Sequence, residues 1–503
     1  MSRFFLTTAI DYANGDPHLG HALEKIGADC IARYRRLRGD DVRFLMGMDE
    51  HGQKVAQAAE QAGMAPEAWV ATIAERFAQT WARLLCSNDD WIRTTEDRHK
   101  LSVTRFIELI REHHPDDIYV GEYEGLYCVG CEEFKQESQI VDGRCVEHPS
   151  RDLERRRERN YFFRLSRWGP RVLELIRSGA LEVAPTIRRN EVVRVLEDGL
   201  EDISISRVRF AWGIPFPGDA EHTVYVWFDA LINYLSATGF PDPGYDRLWP
   251  ADLHVIGKGI SRLHCALWPA MLLSAGLPVQ RKVWAHGYVQ WGGAKVSKSE
   301  GGAVSLDMVI DRHGPDAIRF FLLREVGFEA DGNFTWERFD ERYGADLADG
   351  LGNLVSRSLA MIVKYRGGRI PAGDATPLDA EGRRAVTAYT DAMDRLDLRR
   401  GAEAAWELVA AANLYIQRTA PWALAKEGRE SDLDQALGCL GRTLWRLAVL
   451  TTPFIPGKAQ VIWAALGCGG HAAAAPWPAL EAPPTAGQLV QPAGVLFPKP
   501  VPA

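Results

Sequence analysis

The sequence predicts an α/β protein: a Rossmann-like parallel sheet that is split by a small insertion and followed by an all-helical domain. Three observations lead to this prediction. Residues 3–84 read as strand, helix, strand and two further helices. Residues 118–150 form short polar segments with Cys, Gly and aromatic residues, and residues 345–466 have helical spacing almost throughout. Strands that alternate with helices are typical of a parallel sheet covered by helices.

The N-terminal elements follow from local patterns. Residues 3–12 are apolar and β-branched enough for a buried strand, and Asn14-Gly15-Asp16-Pro17 is turn chemistry. Apolar positions at helical spacing predict a helix over residues 19–38, and a short strand follows at 40–47. Two more helices are expected, at 53–62 and 66–84.

The middle of the chain is expected to return to the same architecture after the insertion. Helical spacing predicts helices over 161–178 and 186–197. A second α/β half then runs from Val224 to about Leu323. Strands are expected at 224–228, 253–257 and 283–290. Helices are expected near 229–237 and 262–275. The last ~30 residues are rich in Pro and Ala and have too few periodic apolar positions for a core of their own.

The composition is that of an ordinary globular protein of about three domains. Charged residues make up 25% of the 503 residues and hydrophobic residues 46%. A net charge of −8 argues against a positively charged coat for non-specific nucleic-acid binding, while a local basic groove is still compatible with RNA recognition. We expect no secretory signal and no membrane span, and eight cysteines are too few for a disulfide scaffold. We therefore expect a reducing, cytoplasmic compartment.

Two segments suit the two halves of a triphosphate site. His18 and His21 open the first predicted helix, whose N-terminus carries partial positive charge, and Gly20 leaves room for a flat base. Lys295 and Lys298 lie in a glycine-flanked loop that can close on a substrate. The alternative for each segment is a solvated surface turn. The preceding strand and Gly-Asp-Pro turn favour a functional role for the histidines, and the presence of His18 and His21 favours one for the lysine loop.

A cysteine–histidine pattern predicts a metal site in the insertion. Cys128, Cys131, Cys145 and His148 form two close pairs at zinc-knuckle spacing. Four protein ligands leave no open position, so the zinc is expected to be structural. The alternative, four unrelated residues in a loop, leaves the segment with little to hold it together.

Polar and aromatic residues follow two of the predicted strands. Asp49 could hold a substrate ammonium, or cap the next helix, and both roles are compatible. A polarisable pocket that suits a thioether could be formed, although aromatics at these spacings are more often core. Its candidate residues are Tyr12, Trp227, Tyr234, Ile260, His264 and Trp268.

Taken together, these features resemble the methionyl-tRNA synthetases, a family of class I aminoacyl-tRNA synthetases. The resemblance covers roughly residues 4 to 460. It is carried by the segments TTAIDYANGDPHLGHALEKIGAD, GMDEHG, EGLYCVGCEEF, NYFFRLS, DISISR, WGIPFPGD, YVWFDALINY, KVSKS, DLADGLGNLVSR and TAPWALAK. The zinc module in this place and the VWFDA segment separate the chain from the leucine, isoleucine, valine and cysteine relatives.

The resemblance implies an ATP-dependent methionine–tRNA ligase. Such an enzyme activates methionine with Mg-ATP to methionyl-adenylate and pyrophosphate, then transfers methionine to the 3′ end of tRNA(Met). It also implies one structural zinc ion. Because no segment after residue 490 resembles the dimerising domain of many relatives, we expect a monomer.

The resemblance also assigns roles to individual positions. The ATP-binding positions are His18, Gly20, His21, His286, Lys295 and Lys298, of which the histidines 18 and 21 and both lysines are catalytic. The methionine-binding positions are Ile10, Tyr12, Asp49, Trp227, Ala230, Tyr234, Ile260 and His264. Arg209 matches a position at the reacting centre. Asn353, Arg357 and Trp422 match the residues that read the CAU anticodon, as a stacking indole with edge-reading Asn and Arg side chains should.

The expected catalytic domain is divided into two halves by the zinc-bearing insertion and is followed by a helical domain. In chain order, the expected domains are the first catalytic half 1–115, the zinc-bearing insertion 116–222, the second catalytic half 223–330, a linker 331–350, the helical anticodon-binding domain 351–490 and a tail 491–503.

Four positions depart from the family pattern. Val296 stands where Met is usual, an apolar swap. Asp11, Gly259 and Leu263 differ near the expected amino-acid and ribose sites. They motivate the alternative of a diverged paralogue with altered amino-acid or inhibitor tolerance. A catalytically dead RNA-binding protein on the same fold is disfavoured, because both phosphate elements are intact. A further hypothesis gives the zinc module a role beyond structure.

Overall fold

A computed structural model of the chain describes residues 2–130, 133–135, 139–146, 148–208, 212–291, 294–295 and 305–499. It describes the backbone only at residues 123, 133, 134, 156, 294 and 295. Within these ranges the strands are β1 (Arg3–Thr8), β2 (Asp11–Tyr12), β3 (Asp41–Asp49), β4 (Asp90–Arg93), β5 (Ile118–Cys128), β6 (Glu133–Lys135), β7 (Ile140–Val141), β8 (Arg144–Cys145), β9 (Glu154–Phe163), β10 (Glu182–Ala184), β11 (Ile203–Ser204), β12 (Ser206–Val208), β13 (Pro215–Phe216), β14 (Asp219–Val224), β15 (Leu253–Gly257), β16 (Lys282–His286), β17 (Val289–Trp291), β18 (Ala294–Lys295) and β19 (Gly332–Phe334).

Helices connect these strands and form most of residues 336–465. The α-helices are α1 (Leu19–Leu37), α2 (Gln53–Gln61), α3 (Pro66–Arg83), α4 (Asp97–His113), α5 (Leu165–Ser178), α6 (Thr186–Glu197), α7 (Val226–Leu231), α8 (Asn233–Ser236), α9 (Trp268–Ser274), α10 (Leu306–His313), α11 (Pro315–Phe321), α12 (Trp336–Arg342), α13 (Asn353–Arg366), α14 (Pro377–Asp394), α15 (Leu398–Thr419), α16 (Pro421–Lys426), α17 (Glu430–Thr451) and α18 (Pro456–Ala465). Wider, π-helical turns occupy Leu263–Leu267, Leu322–Val326 and Tyr343–Gly352.

The core of the described chain is a parallel sheet of seven strands. Its order is β10–β16–β15–β1–β3–β2, and β4 also pairs with β3. Leu6 of β1 pairs with Leu253 on one side and Phe44 on the other. The predicted strand over 3–12 is therefore two strands, β1 and β2, separated by a bend at residues 9–10.

Both faces of this sheet are buried. Phe5 and Leu45 belong to one apolar cluster, and Leu6 and Phe44 belong to the other; all four are 0% exposed. Successive side chains of a strand point to opposite faces, so each strand contributes to both clusters. Burial on both faces is characteristic of parallel sheets covered by helices, and the predicted Rossmann-like fold class is confirmed.

Three predicted elements were wrong. Residues 161–163, expected to begin a helix, complete strand β9, and α5 starts at Leu165. Of the strand expected at 224–228, only Val224 is in a strand, and residues 226–228 belong to helix α7. The strand expected at 283–290 is two strands of different sheets, β16 and β17. Short apolar runs fit a strand or a buried helix equally well, and only pairing with a neighbouring strand decides between them.

The insertion is built from antiparallel strands. Ribbon β5–β9 is in register from Ile118 opposite Phe163 to Tyr127 opposite Glu154, and it belongs to the sheet β11–β9–β5–β6. A smaller sheet, β12–β14–β13, returns the chain to the parallel core. The ribbon carries Cys128 at the far end of β5.

Helices α13–α18 pack into a domain that shares an apolar cluster with one face of the sheet. The last described segment joins it: Val490, Leu496 and Phe497 are each 4% exposed, and the Tyr343 hydroxyl donates to the Pro498 carbonyl at 2.7 Å. No helix in the described ranges combines the length and apolarity needed to cross a bilayer.

Candidate active site

Two histidine rings cap the first turn of α1. Nδ1 of His18 accepts from the backbone N–H of Gly20 at 3.1 Å and of His21 at 3.4 Å. Nδ1 of His21 accepts from the His18 N–H at 3.3 Å, which completes a capping box. The rings stack with centroids 3.7 Å apart. Because both Nδ1 atoms serve the cap, each Nε2 lies on the ring edge farther from it.

Gly20 is needed for this arrangement. A Cβ at Gly20 would lie 3.0 Å from Cε1 of His18, closer than side-chain atoms normally pack. The α1 terminus carries the partial positive charge of a 19-residue helix. The first turn therefore combines two imidazoles with a dipole that favours anions, as a phosphate site requires.

A cleft of about 680 Å³ opens beside His18. Its size falls in the range of small-molecule sites. Its lining residues are Asp16, Pro17, His18, Arg76, Gln79, Thr80, Arg83, Ser305, Leu306 and Asp307. The rim is charged: Arg76 pairs with Asp16 at 2.8 Å, and Arg83 contacts both Asp307 and Asp311.

Four sequence-predicted residues cannot be placed in this geometry. The backbone of Lys295 ends strand β18, but its side chain is outside the described atoms. Lys298, Arg209 and Cys131 lie outside the described residues. Their predicted roles stay predictions.

A hydrogen-bonded pair closes the candidate methionine pocket. The Tyr234 hydroxyl and Nε2 of His264 are 2.7 Å apart, and Nδ1 of His264 donates to the Ile260 carbonyl at 3.0 Å. Burial lowers the pKa of His264 to about 4. The ring is therefore neutral, with the proton on Nδ1, and Nε2 accepts from Tyr234. This fixes the orientation of both rings.

The other candidate pocket residues come from neighbouring elements. Asp49, 2% exposed, ends β3 and is the strand partner of Tyr12. Ala230 is buried on α7. Four partly buried residues pack against the same apolar cluster as Tyr234; they are Ile10, Tyr12, Trp227 and Ile260. These residues lie on β2, β3, α7, α8 and the turns around residues 10 and 260, and their role in a methionine pocket stays a prediction.

A buried carboxylate anchors this side of the site. Asp229 faces Nδ1 of His51 at 2.7 Å and Nε2 of His99 at 2.6 Å. Burial opposes ionisation of Asp229, but the two imidazoles outweigh it and lower its pKa to about 2. The Trp212 indole donates to the Glu50 carbonyl at 2.6 Å, which ties the same loop to the insertion. The Asp49–Gly52 segment is therefore held from two sides.

Three of the four departures from the family pattern lie in the described residues, and Val296 lies outside them. Asp11, 4% exposed, lies 2.9 Å from the Lys25 ammonium. Gly259 lies against Tyr288, whose hydroxyl would be 2.3 Å from a Cβ at that position. Leu263 begins the π-helical turn that carries the pocket residue His264.

Three of the four predicted zinc ligands meet in the insertion. The ligand atoms of Cys128, Cys145 and His148 all lie within 4.8 Å of one another, and both cysteines are buried. Gly130 makes room for the ring, because a Cβ there would lie 2.5 Å from the imidazole of His148. Soft thiolates and an imidazole at this spacing fit a tetrahedral metal ion such as zinc.

The predicted anticodon residues share one surface of the helical domain. Asn353 and Arg357 lie one helical turn apart on α13, and the Arg357 guanidinium lies 6.0 Å from the Trp422 ring centroid. The Trp422 side chain is 46% exposed. An exposed indole next to a cation can stack on an unpaired base.

The sequence patterns predict no role for Asp229, Glu24 or Lys25. The last two are 6% and 0% exposed, and they lie between the buried Leu23 and Ile26 of α1. Helical spacing placed them beside the apolar face, and adjacent opposite charges at such positions could have signalled a buried ionic group.

Comparisons with known proteins agree with this geometry. Residues 4–152 and 150–359 match the family model described as tRNA synthetases class I (M). Residues 367–500 match the anticodon binding domain of methionyl tRNA ligase. The methionine–tRNA ligase of Thermotoga maritima is 42% identical over 471 residues, covering 92% of this chain and 75% of the relative. That of Bacillus subtilis is 40% identical over 485 residues, covering 92% and 73%.

Solved structures give the same result. Mycobacterium tuberculosis methionyl-tRNA synthetase in complex with methionyl-adenylate superposes with a TM-score of 0.94 at 38% identity, covering 99% of this chain and 100% of that one. Its free form gives 0.87 at 34% identity, covering 100% and 99%. The predicted resemblance is confirmed: this chain belongs to the methionyl-tRNA synthetase family of class I synthetases.

Proposed function

We propose that this ATP-dependent methionine–tRNA ligase binds ATP over the N-terminus of α1 and binds methionine in the pocket closed by Tyr234 and His264. The main support for the ATP site is the capping box of His18 and His21, because it brings two imidazoles to the positive end of a helix. Asp49 ends a parallel strand, where α/β sheets bind ligands. The similarity to an adenylate-bound synthetase supports the same arrangement.

In the first step, the methionine carboxylate attacks the α-phosphorus of ATP, the bond to the bridging oxygen breaks, and pyrophosphate leaves. This step needs in-line positioning and neutralisation of phosphate charge more than a nucleophilic side chain. His18 and His21 donate to phosphate oxygens from one side, and Lys295 and Lys298 do so from the loop. His286 lies on the ATP side at the end of β16. Mg²⁺ enters with ATP as part of the substrate.

Methionine is held at both of its ends. The Asp49 carboxylate pairs with the ammonium, and the thioether lies among aromatic and aliphatic side chains that suit sulfur. The neutral His264, locked by Tyr234 and the Ile260 carbonyl, presents a fixed polar edge to that pocket. The apolar contacts come from Ile10, Tyr12, Trp227, Ala230 and Ile260.

In the second step, a hydroxyl of the 3′-terminal adenosine of tRNA(Met) attacks the carbonyl carbon of methionyl-adenylate, and AMP leaves. The tRNA is selected far from this centre, on the helical domain. Trp422 stacks on a splayed anticodon base, and Asn353 and Arg357 read base edges.

A single zinc ion is proposed to hold the insertion together through Cys128, Cys131, Cys145 and His148. Bound thiolates and imidazole would fill its coordination, so its contribution is structural. No disulfide joins two cysteines of the described residues, which is consistent with a reducing, cytoplasmic setting. We propose a monomer, with the tRNA anticodon bound by the helical domain.

ATP–pyrophosphate exchange across the standard amino acids, without tRNA, tests the proposal. We expect exchange with methionine only. Lys298→Ala should abolish it, because the loop then loses a phosphate donor. Arg312→Ala, which breaks an exposed ion pair with Asp340, is the matched control and should leave the exchange rate unchanged.

Two results would contradict the proposal. Stronger exchange with another amino acid would favour the diverged paralogue. Full exchange in the Lys298→Ala enzyme would remove the lysine loop from the mechanism.

A further inference from the structure

A buried charge network of four side chains, Asp11, Lys25, Glu24 and His286, crosses α1 one turn beyond His21. The Lys25 ammonium, 0% exposed, lies 2.9 Å from Oδ1 of Asp11 and 2.8 Å from Oε1 of Glu24. The other carboxylate oxygen of Glu24 lies 3.2 Å from Nε2 of His286. The four residues come from β2, α1 and the end of β16, three elements that meet beneath the first turn of α1.

One end of this charge network holds the methionine side of the site, the backbone segment that carries Ile10 and Tyr12. Lys25 also donates to the Ala9 carbonyl at 2.7 Å, so its three ammonium protons have three oxygen acceptors. Ala9 lies in the bend between β1 and β2, next to Ile10, and Asp11 precedes Tyr12. Lys25 therefore fixes the short segment that carries two of the proposed methionine contacts.

The other end of the charge network holds His286, the residue proposed to bind ATP and here called the ATP side of the site. His286 is 4% exposed, and its Nδ1 donates to the Gly287 carbonyl at 2.7 Å. With Nδ1 used in this way, the contact of Nε2 with the Glu24 carboxylate sets the rotation of the ring about its bonds. The pKa of Glu24 is lowered despite its burial, because Lys25 and His286 stabilise the ionised form.

A contribution to the stability of the fold does not by itself explain this buried charge network. Buried ion pairs lose hydration that their attraction only partly returns, and well-packed apolar residues of similar size are often as stabilising. Unlike apolar contacts, hydrogen bonds between charged groups are directional, so each one fixes the position of a donor atom relative to its acceptor. Here the directed contacts run from the backbone of the methionine side, through α1, to a residue of the ATP side.

We propose that Lys25, with Asp11 and Glu24, is a positioning group that holds the methionine-side segment and His286 in register across α1 for adenylate formation. This inference rests on the proposed function of the site. It assigns the Asp11 contact to methionine binding and the Glu24 contact to ATP binding, with Lys25 common to both.

The test is a split of Michaelis constants in ATP–pyrophosphate exchange, normalised to the active-site concentration from an adenylate burst. Asp11→Asn should raise the KM for methionine about tenfold and leave the KM for ATP unchanged. Glu24→Gln should do the reverse. Lys25→Met should lower kcat/KM for both substrates, by roughly 100-fold, because misplacement by about 1 Å is enough for such a loss.

Arg35→Met is the matched control on the same helix. Arg35 pairs with Asp40 at 3.6 Å and lies ten residues beyond Lys25, about 15 Å along α1. Its KM values should equal those of the wild type. If the Lys25→Met chain fails to fold, the two near-isosteric variants still decide the question.

The proposal is overturned if Asp11→Asn and Glu24→Gln reduce only the burst amplitude or the melting temperature, with both KM values unchanged, since a merely structural role does that. It is also overturned if both variants change both constants equally. Failure of the proposed function is separate, because it would appear as absent methionine exchange in the wild-type chain.

Discussion

Arg319 donates through Nη2 to Oδ2 of Asp29 at 2.7 Å, and neither side chain is exposed to solvent. Asp29 lies on α1, and Arg319 lies on α11. The same guanidinium donates to the carbonyls of Pro453 and Phe454, which precede α18. One arginine therefore ties the helix that His18 caps to the helical domain.

The electrostatics of this pair explain how a buried carboxylate is tolerated. Burial alone would raise the pKa of Asp29, but Arg33 and Arg319 outweigh that effect and lower it to about 2. Oδ1 of Asp29 also accepts from the backbone N–H and the hydroxyl of Ser87, each at 2.6 Å. Both carboxylate oxygens thus have donors.

We expect Arg319→Met to lower the free energy of unfolding by about 3–5 kcal/mol, because it leaves the Asp29 carboxylate buried with one cation fewer. Urea denaturation measures this. Arg312→Met removes an exposed ion pair with Asp340 and should change the same quantity by less than about 1 kcal/mol. Equal effects of the two substitutions would contradict the assignment of Arg319 as a connector between α1 and the helical domain.

Asp229 should make the protein sensitive to acid. Its pKa, usually near 3.8, is lowered to about 2, so its contribution to stability is complete above about pH 4 and is lost as pH falls toward 2. The stability difference between the wild type and Asp229→Asn should therefore shrink by about 1 kcal/mol between pH 5 and pH 3. Urea denaturation at each pH gives this difference.

The control for acid sensitivity is Gln61→Asn, at the end of α2. This exposed side chain carries no titratable proton, so its substitution should give a stability difference that does not change with pH. A wild-type advantage over Asp229→Asn that stays constant from pH 5 to pH 3 would show that the carboxylate is not ionised preferentially in the folded protein.

Metal analysis should find one zinc ion per chain in the wild type and none after Cys145→Ser, because three ligands hold the ion far more weakly than four. Limited proteolysis should then cut the insertion between residues 118 and 163 first. Cys468→Ser, at a cysteine outside the cluster, should retain the metal. A folded Cys145→Ser chain with reduced exchange activity would give the module a role beyond structure.

Trp422→Ala should separate the two half-reactions. Loss of one stacked base is worth about 1–3 kcal/mol, so kcat/KM for tRNA charging should fall by roughly 5- to 100-fold. Pyrophosphate exchange without tRNA should not change, because the indole is in the helical domain. Val461→Ala, at another exposed apolar side chain of that domain, should affect neither measurement. A loss of exchange in the Trp422→Ala enzyme would mean that the substitution disturbs the fold.

Features that are encoded within one element or one short segment could be predicted from the amino-acid sequence. Helical and strand periodicity predicted the parallel sheet and the helical domain, because a repeat of apolar positions marks the face that must be buried. The pairs His18 and His21, and Cys145 and His148, also lie close enough along the chain for their spacing to place them together.

Contacts between elements that are distant in sequence could not be predicted and depend on the complete fold. Glu24 reaches His286 across 262 residues, and Asp29 reaches Arg319 across 290. No local pattern distinguishes these partners from other acids, histidines and arginines in the chain, and a charged residue on a helix is usually solvated. Burying a charge is costly unless a partner arrives from another element, and that partner is chosen by the packing of the whole fold.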